Sequence, residues 1–462
     1  MSGPVRTHRP VIDRALCGQC VLCLGACPGN FLYGLRYDVI EGQGAAAQRA
    51  PLDPARCVLA CPLGQQVRDY IRLLDRGQAK EAALLIRKDN PLPNVCAYIC
   101  HHPCEPACTR GEYGPSVAIR ELKRMAMEYE MEHEDEVAGL VREWREADRG
   151  RSVSIVGAGP AGLACASELA VKGYRVTVFD ALAEPGGMLS AAIPTFRLPR
   201  RVLRHDIAII AALGVKFECS CRIGHETSIE GLQARGADAV VLATGAWSDM
   251  LPGIPGEESH GLYPCLDFLK AANAGRIELR GTAVVVGGGN AAVDAARTAL
   301  RTGASRAVIA YRRGREEMPA LAEEIEAALA EGVEIAYLVS PLRVIAESGK
   351  IRGVELQRMV LGRKDKNGRK APVAVPGSTV VQEAGTVIMA IGQRPDLSFI
   401  DRQAVTRNNT IRCSRSGLVP PYNGVFAAGD AVTGPSTVVQ AMASGKAAAA
   451  KVIGYLEKER GG

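Results

Sequence analysis

The chain has 462 residues, 47% of them hydrophobic and 23% charged, with a formal net charge of +6 at pH 7. That length predicts two or three domains with sizeable cores. The mild, dispersed charge argues against nucleic acid as a partner, no run of about 18 apolar residues offers a membrane span, and the opening Met-Ser-Gly-Pro-Val-Arg has no apolar signal region, so a cytoplasmic protein is expected.

Ten of the fifteen cysteines lie before residue 110 at regular spacings. In a reducing compartment that pattern points to metal rather than disulfides. Cys17-x2-Cys20-x2-Cys23-x3-Cys27-Pro28 is the bacterial ferredoxin run, in which three thiolates wrap one cubane and the fourth commonly turns to another. Cys57-x3-Cys61-Pro62 is a half-motif of the same kind. From Val67 to Lys88, Tyr70, Ile71, Leu74, Ala82, Leu85 and Ile86 recur near helical spacing. Cys96, Cys100, Cys104 and Cys108 follow, each four apart. Such spacing could fill one helix face, but Pro103 and Pro106 break a regular helix, so a cluster-binding loop is expected. Four thiolates also suit zinc. Ten of them, with a nucleotide site downstream, favour iron–sulfur: two four-iron clusters with two thiolates spare, or three with mixed ligands. Cys165, Cys219, Cys221, Cys265 and Cys413 are scattered and read as packing. Met125 to Arg149, dense in Glu, Arg and His, reads as a solvated helix joining two domains.

Val153 to Gly162 then reads as strand, tight turn and helix start. Gly157 permits the turn, Gly159 lets backbone approach a pyrophosphate, and Gly162 allows close helix–strand packing. The helix entered at Pro160 and Ala161 points free N–H groups at phosphates. Asp180 ends the next strand, where a carboxylate can accept from a ribose. The pair Gly186–Gly187 before Met188 lets backbone lie against a ligand. Ala239–Leu242 is a buried strand running into a small-residue turn at Thr244 and Gly245.

The fingerprint repeats at Thr282–Asp294, with Gly287, Gly289, Asn290 and Ala291 in the turn and Ala292 as the third small residue. The following strand ends at Arg312 and Arg313. An acid there would take a ribose 2′-hydroxyl; arginines suit a 2′-phosphate, which favours NADPH over NADH. Lys364–Lys370 reads as a solvated hairpin tip. Val425 to Asp430 is a second strand-to-acid turn, and Ser436 or Thr437 can cap a last helix containing Gln440 and Ala441. No Cys-x2-Cys pair lies in residues 151–462, so a dithiol relay is not expected.

Cys57–Pro62, Asp89-Asn-Pro-Leu-Pro93, the stretch from Val95 to Cys108, and Val117–Lys123 resemble the small-subunit family of glutamate synthase. The same module resembles the amino-terminal part of dihydropyrimidine dehydrogenase and the large subunit of the electron-bifurcating transhydrogenase. The resemblance covers nearly everything after residue 55. It implies two four-iron clusters in the amino-terminal module. It implies that Ile193–Pro199, with Arg197, lies beside the flavin ring. Gly429 and Asp430 would meet the ribityl or phosphate end of FAD. The last helix would face the flavin pyrimidine edge, and Thr386–Asp396, with Gly392, would be the return crossing into the flavin domain. Where some members offer a glutamate or glutamine ligand, this chain has Lys123, whose ammonium has no lone pair; Cys96 could substitute.

The expected fold is α/β: a helical iron–sulfur domain followed by two Rossmann-like nucleotide-binding domains, the second inserted in the first. The boundaries read 1–124 for the cluster domain, 125–150 for the linker, 151–280 with 386–462 for FAD, and 281–385 for NAD(P)H. The expected function is that of an NAD(P)H-dependent flavin and iron–sulfur subunit. Hydride would pass between NADP(H), or NAD(H), and FAD, and single electrons would pass to [4Fe–4S] clusters and a separate partner subunit. That partner could be the large subunit of glutamate synthase, or another redox enzyme such as a tungsten aldehyde oxidoreductase. A non-catalytic electron-wiring scaffold is the reading from another class; Arg312 and Arg313 argue against it. No side-chain acid or base is required for hydride transfer.

Overall fold

The computed structural model describes residues 55–365 and 368–458. The run Cys17, Cys20, Cys23 and Cys27 lies outside the described residues. The described chain opens with six helices: α1 (Arg56–Ala60), α2 (Val67–Asp75), α3 (Ala79–Asp89), α4 (Pro93–Ile99), α5 (Ile119–Glu132) and α6 (Glu134–Arg142). The helical stretch expected over 67–88 is split at Gly77, whose φ of +72° ends α2 in the left-handed region. Pro93 starts α4, where its missing N–H costs nothing. Cys96 lies inside that helix; Cys104 and Cys108 fall in the turns and loop beyond it, where Pro103 and Pro106 forbid a regular helix. Tyr70, Ile71, Ala82, Ile86, Ile119 and Met127 make a core that includes Cys57, Cys104 and Cys108.

The charged stretch 125–150 is not a solvated bridge. It forms the end of α5 and all of α6, with Val137 and Val141 buried in the core that also covers the first sheet. Glu130 is fully buried. The charge is tolerated because Arg87 and His205 both bond it; charge density in the sequence gave no sign of those distant partners.

The first sheet contains β1 (Ser152–Val156), β2 (Arg175–Phe179), β3 (Lys216–Glu218), β4 (Ala239–Leu242) and, from far along the chain, Val425–Ala427. These strands are parallel, in the order last strand, β4, β1, β2, β3. Helices α7 (Pro160–Val171), α8 (Met188–Ala191), α9 (Arg200–Ala212) and α10 (Ile229–Ala234) connect it. β1 and β4 are almost wholly buried, β4 an unbroken aliphatic run and β1 with Ser154 among Val153, Ile155 and Val156, as a sheet covered on both faces requires. From β5 (Ser248–Asp249) the chain passes to a second parallel sheet. That sheet holds β6 (Leu262–Pro264), β7 (Thr282–Val286), β8 (Arg306–Tyr311), β9 (Glu334–Tyr337) and Thr386–Met389. Its helices are α11 (Cys265–Asn273), α12 (Asn290–Arg301) and α13 (Ala322–Ala330).

A three-stranded antiparallel sheet, β10 (Val339–Glu347), β11 (Lys350–Lys364) and β12 (Lys370–Glu383), follows, with the expected hairpin between its last two strands. The chain crosses back through β13 (Thr386–Met389) and β14 (Gln393–Arg394), which pairs antiparallel with β5. It ends through β15 (Val425–Ala427), α14 (Asp430–Thr433) and α15 (Val438–Lys458). The second unit is therefore inserted in the first. Its sheet takes in β6 and β13, outside the expected 281–385: β13 pairs with β7 through Thr386 and Ala283, and β6 pairs with β13. The three residues of β6 are too few to show a period. Among the described residues no helix is long and apolar enough to cross a membrane.

Candidate active site

The first fingerprint turn is closed by contacts only glycine allows. Gly157 has φ +108°, and a Cβ there would sit 2.3 Å from the Ala243 carbonyl oxygen; at Gly162 it would sit 1.8 Å from that of Gly157. Gly287 repeats the arrangement in the second sheet, with φ +146° and a Cβ position 2.2 Å from the Ala390 oxygen. The Cβ position of Gly289 has nothing within 4 Å, which leaves room for a phosphate group.

Between the sheets lies a cleft of about 290 Å³. Gly157, Gly159, Pro160 and Ala161 line it, with Gly187 packed against Gly159 and Met188 beside it. Thr244, Gly245, Gly429, Asp430 and Ala441 also line it, together with Asn290 and Ala291 of the second unit. A second cavity of about 350 Å³ adjoins it and shares Gly157, Asp180, Thr244 and Trp247. The pair makes a long slot. Asp180 stands where they meet. Its carboxylate accepts the N–H groups of Ala158 at 2.6 Å and Leu182 at 2.8 Å, and burial raises its pKa. The Thr244 hydroxyl is buried with no partner, so a ligand in the slot would supply its missing hydrogen bond.

Asp430 accepts the Ser436 hydroxyl at 2.7 Å. The Gln440 amide oxygen accepts from the backbone N–H of Thr437 at 3.2 Å and its hydroxyl at 2.9 Å. Gln440 thus caps α15 and does not line the cleft, while Thr437 does. Arg197 lines the cleft and ties the two units together: its guanidinium lies 2.9 Å from Asp294 and 2.9 Å from Glu324. Burial pushes the Asp294 carboxyl up to about 6, although the charge and hydrogen bonds of Arg197 pull it down. Gly392, at the return crossing, lies outside the cleft, and so do Arg312 and Arg313 after β8. Arg313 is buried, donating to the Lys370 carbonyl at 2.9 Å and to Asp365 at 2.8 Å. Arg312 is exposed, with no ion pair among the described residues.

Ile99, Cys100 and His101 of the helical unit line the same cleft, which no sequence pattern indicated. Trp247, one of two tryptophans in the chain, also went unnoticed; Lys270 stands 5.8 Å above its ring. Gly445 was missed too: a Cβ there would lie 2.0 Å from the Ala161 oxygen, so α15 presses directly on the fingerprint helix α7.

Cys57, Cys61, Cys96, Cys100, Cys104 and Cys108 are free thiols, all buried except Cys61. The Cys100 thiol is held low, foremost by a hydrogen bond from Cys96, whose own thiol is pushed up. The backbone N–H of His102 also donates to the Cys100 sulfur at 3.3 Å. Burial pushes Cys104 up to about 12. Among the described residues no three His, Cys, Asp or Glu side chains are grouped as a single metal ion would need. The donors gathered here are sulfur, the ligand type of an iron–sulfur cluster.

Residues 151–445 match the model of the pyridine nucleotide-disulphide oxidoreductases, and residues 45–135 match that of the 4Fe–4S domain II of dihydropyrimidine dehydrogenase. The first match implies flavin and nicotinamide nucleotides, the second a four-iron cluster. The beta subunit of the NADP(+)-dependent formate dehydrogenase of Moorella thermoacetica is 40% identical over 90% of this chain and 63% of its own length. The beta subunit of the NADPH-Fe(3+) oxidoreductase of Geobacter sulfurreducens is 41% identical over 87% of this chain and 64% of its own. The chain thus spans under two thirds of either. It spans 88% of the NADPH glutamate synthase small chain of Escherichia coli, at 33% identity over 87% of this chain. FprA, a Mycobacterium tuberculosis oxidoreductase, shares the fold, with a TM-score of 0.56 at 20% identity over 67% of this chain and 85% of its own. With its paired fingerprints, inserted second sheet and cysteine-rich helical unit, the chain belongs to the pyridine nucleotide-disulphide oxidoreductase family, alongside the glutamate synthase small chain.

Proposed function

We propose that the chain is the subunit through which a larger oxidoreductase exchanges electrons with NADP(H). The observation that carries this reading is that Cys100 and His101 line the same cleft as Gly157, Thr244 and Asp430. FAD bound there would supply the exchange between hydride and single-electron chemistry. Gly157, Gly159 and the start of α7 would bind its pyrophosphate, Asp180 its ribose, and Gly429 and Asp430 its ribityl end. The N-terminus of α15, capped by Thr437 and Gln440, would face the ring with its positive dipole end. Gly287, Gly289 and Asn290 would hold the nicotinamide nucleotide, and Arg312 its 2′-phosphate. The cysteines would hold two [4Fe–4S] clusters, with the ferredoxin-like run free to hold more.

The partner subunit is a proposal resting on the relatives, which are named as beta subunits or a small chain. A cytoplasmic location suits cysteines spaced for clusters rather than for disulfides. Coverage of most of the glutamate synthase small chain favours a second reading, the small subunit of a glutamate synthase; co-purification of the native complex decides between them. The test of the main reading is anaerobic: the purified chain should be yellow-brown, contain iron and acid-labile sulfide, and lose its flavin absorbance with NADPH faster than with NADH. A colourless chain, or a yellow one that NADPH leaves unbleached, overturns it.

A further inference from the structure

Among the described residues, the buried lysines and arginines are Arg87, Lys123, Arg297 and Arg313. Three of them face carboxylates: Arg87 pairs with Glu130 and Asp206, Arg297 with Glu324 and Glu331, and Arg313 with Asp365. Lys123 has no carboxylate partner among the described residues. Its Nζ donates at 2.5 Å to the side-chain oxygen of Gln65, which is itself 1% exposed. An ammonium has three N–H donors, and two of them meet no acceptor among the described residues. A buried cation without a counter-charge is costly.

The surroundings indicate the missing anion. Lys123 lies three residues after Arg120 on α5, hence on the same helix face. Arg120 reaches the Cys100 carbonyl at 3.4 Å. Gln65, at the other end of the contact, follows Cys61 by four positions in the chain. The ammonium is therefore tied to the segment that follows Cys61, on the helix face from which Arg120 reaches the segment of Cys100. The plain alternative is a long side chain that merely tethers Gln65.

We propose that the Lys123 ammonium is the counter-ion of an anionic four-iron cluster held by the cysteines around it, Cys100 and Cys104 among them, and that it raises that cluster's reduction potential. The inference rests on the iron–sulfur reading of this unit. Hydride from NADPH would load the flavin with two electrons, which it would release one at a time with its proton going to solvent; a thiolate-ligated cubane would gain one negative charge on accepting one of them, with no bond formed or broken at the cluster. A fixed cation beside it, donating N–H groups to its sulfurs, stabilises the reduced form more than the oxidised one.

The test uses the full-length protein purified anaerobically, with iron and acid-labile sulfide measured on every preparation and potentials followed by EPR. Lys123→Met should keep its iron and sulfide. At a fixed ambient potential, the ratio of reduced to oxidised forms of one cluster should fall about tenfold, a downward shift of about 59 mV for one electron. Lys123→Arg and Gln65→Leu, which keep the cation, should stay near the wild-type potential. Intact clusters with an unmoved potential in Lys123→Met would overturn the inference, as would an equal shift in Gln65→Leu, which would assign the effect to packing. If Lys123→Met assembles no cluster, pulsed EPR of reduced wild-type protein labelled with ¹⁵N-lysine replaces it: a nitrogen coupling is expected and its absence overturns the inference. Wild-type protein without iron and sulfide would overturn the iron–sulfur reading itself, a result distinct from all of these.

Discussion

Arg312 and Arg313 are neighbours in sequence with different surroundings. Arg313 is buried against Asp365 and the Lys370 carbonyl, while Arg312 is exposed. Arg312→Ala should therefore raise the KM for NADPH about tenfold, the worth of one charge-assisted hydrogen bond, and leave that for NADH little changed, in steady-state assays with an artificial acceptor. Arg313→Ala should instead destabilise the second unit by about 1–3 kcal/mol, read by thermal unfolding.

His205 shows a residue whose pH response follows from its neighbours. Burial pulls its pKa down, but the hydrogen bond and charge of Glu130 outweigh that and raise it. Its contribution to stability is then fully present below about pH 6.5, the unfolded value, and is lost as pH rises through the folded one. The Tm deficit of His205→Gln should be larger at pH 6 than at pH 9. Glu130 behaves oppositely. Burial raises it, but Arg87 and His205 hold it at about 2, so its contribution is present above about pH 4.5 and lost as pH falls toward 2. An equal His205→Gln deficit at pH 6 and pH 9 would contradict this account.

Among elements, α15 carries the largest single consequence. It spans 21 residues and packs along α7, with Gly445 against the Ala161 backbone. Gly445→Ala must push the two helices apart, since the Ala161 oxygen is backbone and cannot yield, at a cost of about 1–3 kcal/mol. Because α7 carries the fingerprint and α15 the Thr437 end, the same shift widens the cleft. The variant should purify with a lower ratio of flavin to protein absorbance. Unchanged flavin content would show that the helix contact does not set the cleft width. A sequence of small residues reads as an ordinary alanine-rich closing helix; the requirement for glycine arises only from the other helix.

At the scale of the molecule, three units are joined by ion pairs of unequal depth. Arg87 of α3, Glu130 of α5 and Asp206 of α9 join the helical unit to the flavin unit, fully buried. Arg120 meets Glu323 across to the second sheet's unit, with the glutamate side chain 40% exposed. Arg87→Ala would leave two buried carboxylates without their main partner and should cost about 3–5 kcal/mol. Arg120→Ala should cost under about 1 kcal/mol. Chemical denaturation of both variants checks the ranking, and the reverse order would mean that the exposed pair holds the units together.

What the sequence determined by itself is local chemistry. Gly157, Gly162 and Gly287 were readable as fingerprint turns because a tight turn must be built from adjacent residues. Pro103 and Pro106 announced a loop for the same reason. What only the tertiary structure decided is which distant groups meet. Cys100 and His101 reach the cleft of Gly157 and Asp430, Glu130 is buried because Arg87 and His205 reach it, and β6 joins a sheet that its three residues could not announce. Burial and charge pairing are properties of neighbours in space. A side chain's type states what it can do there, and folding selects the partner with which it does it.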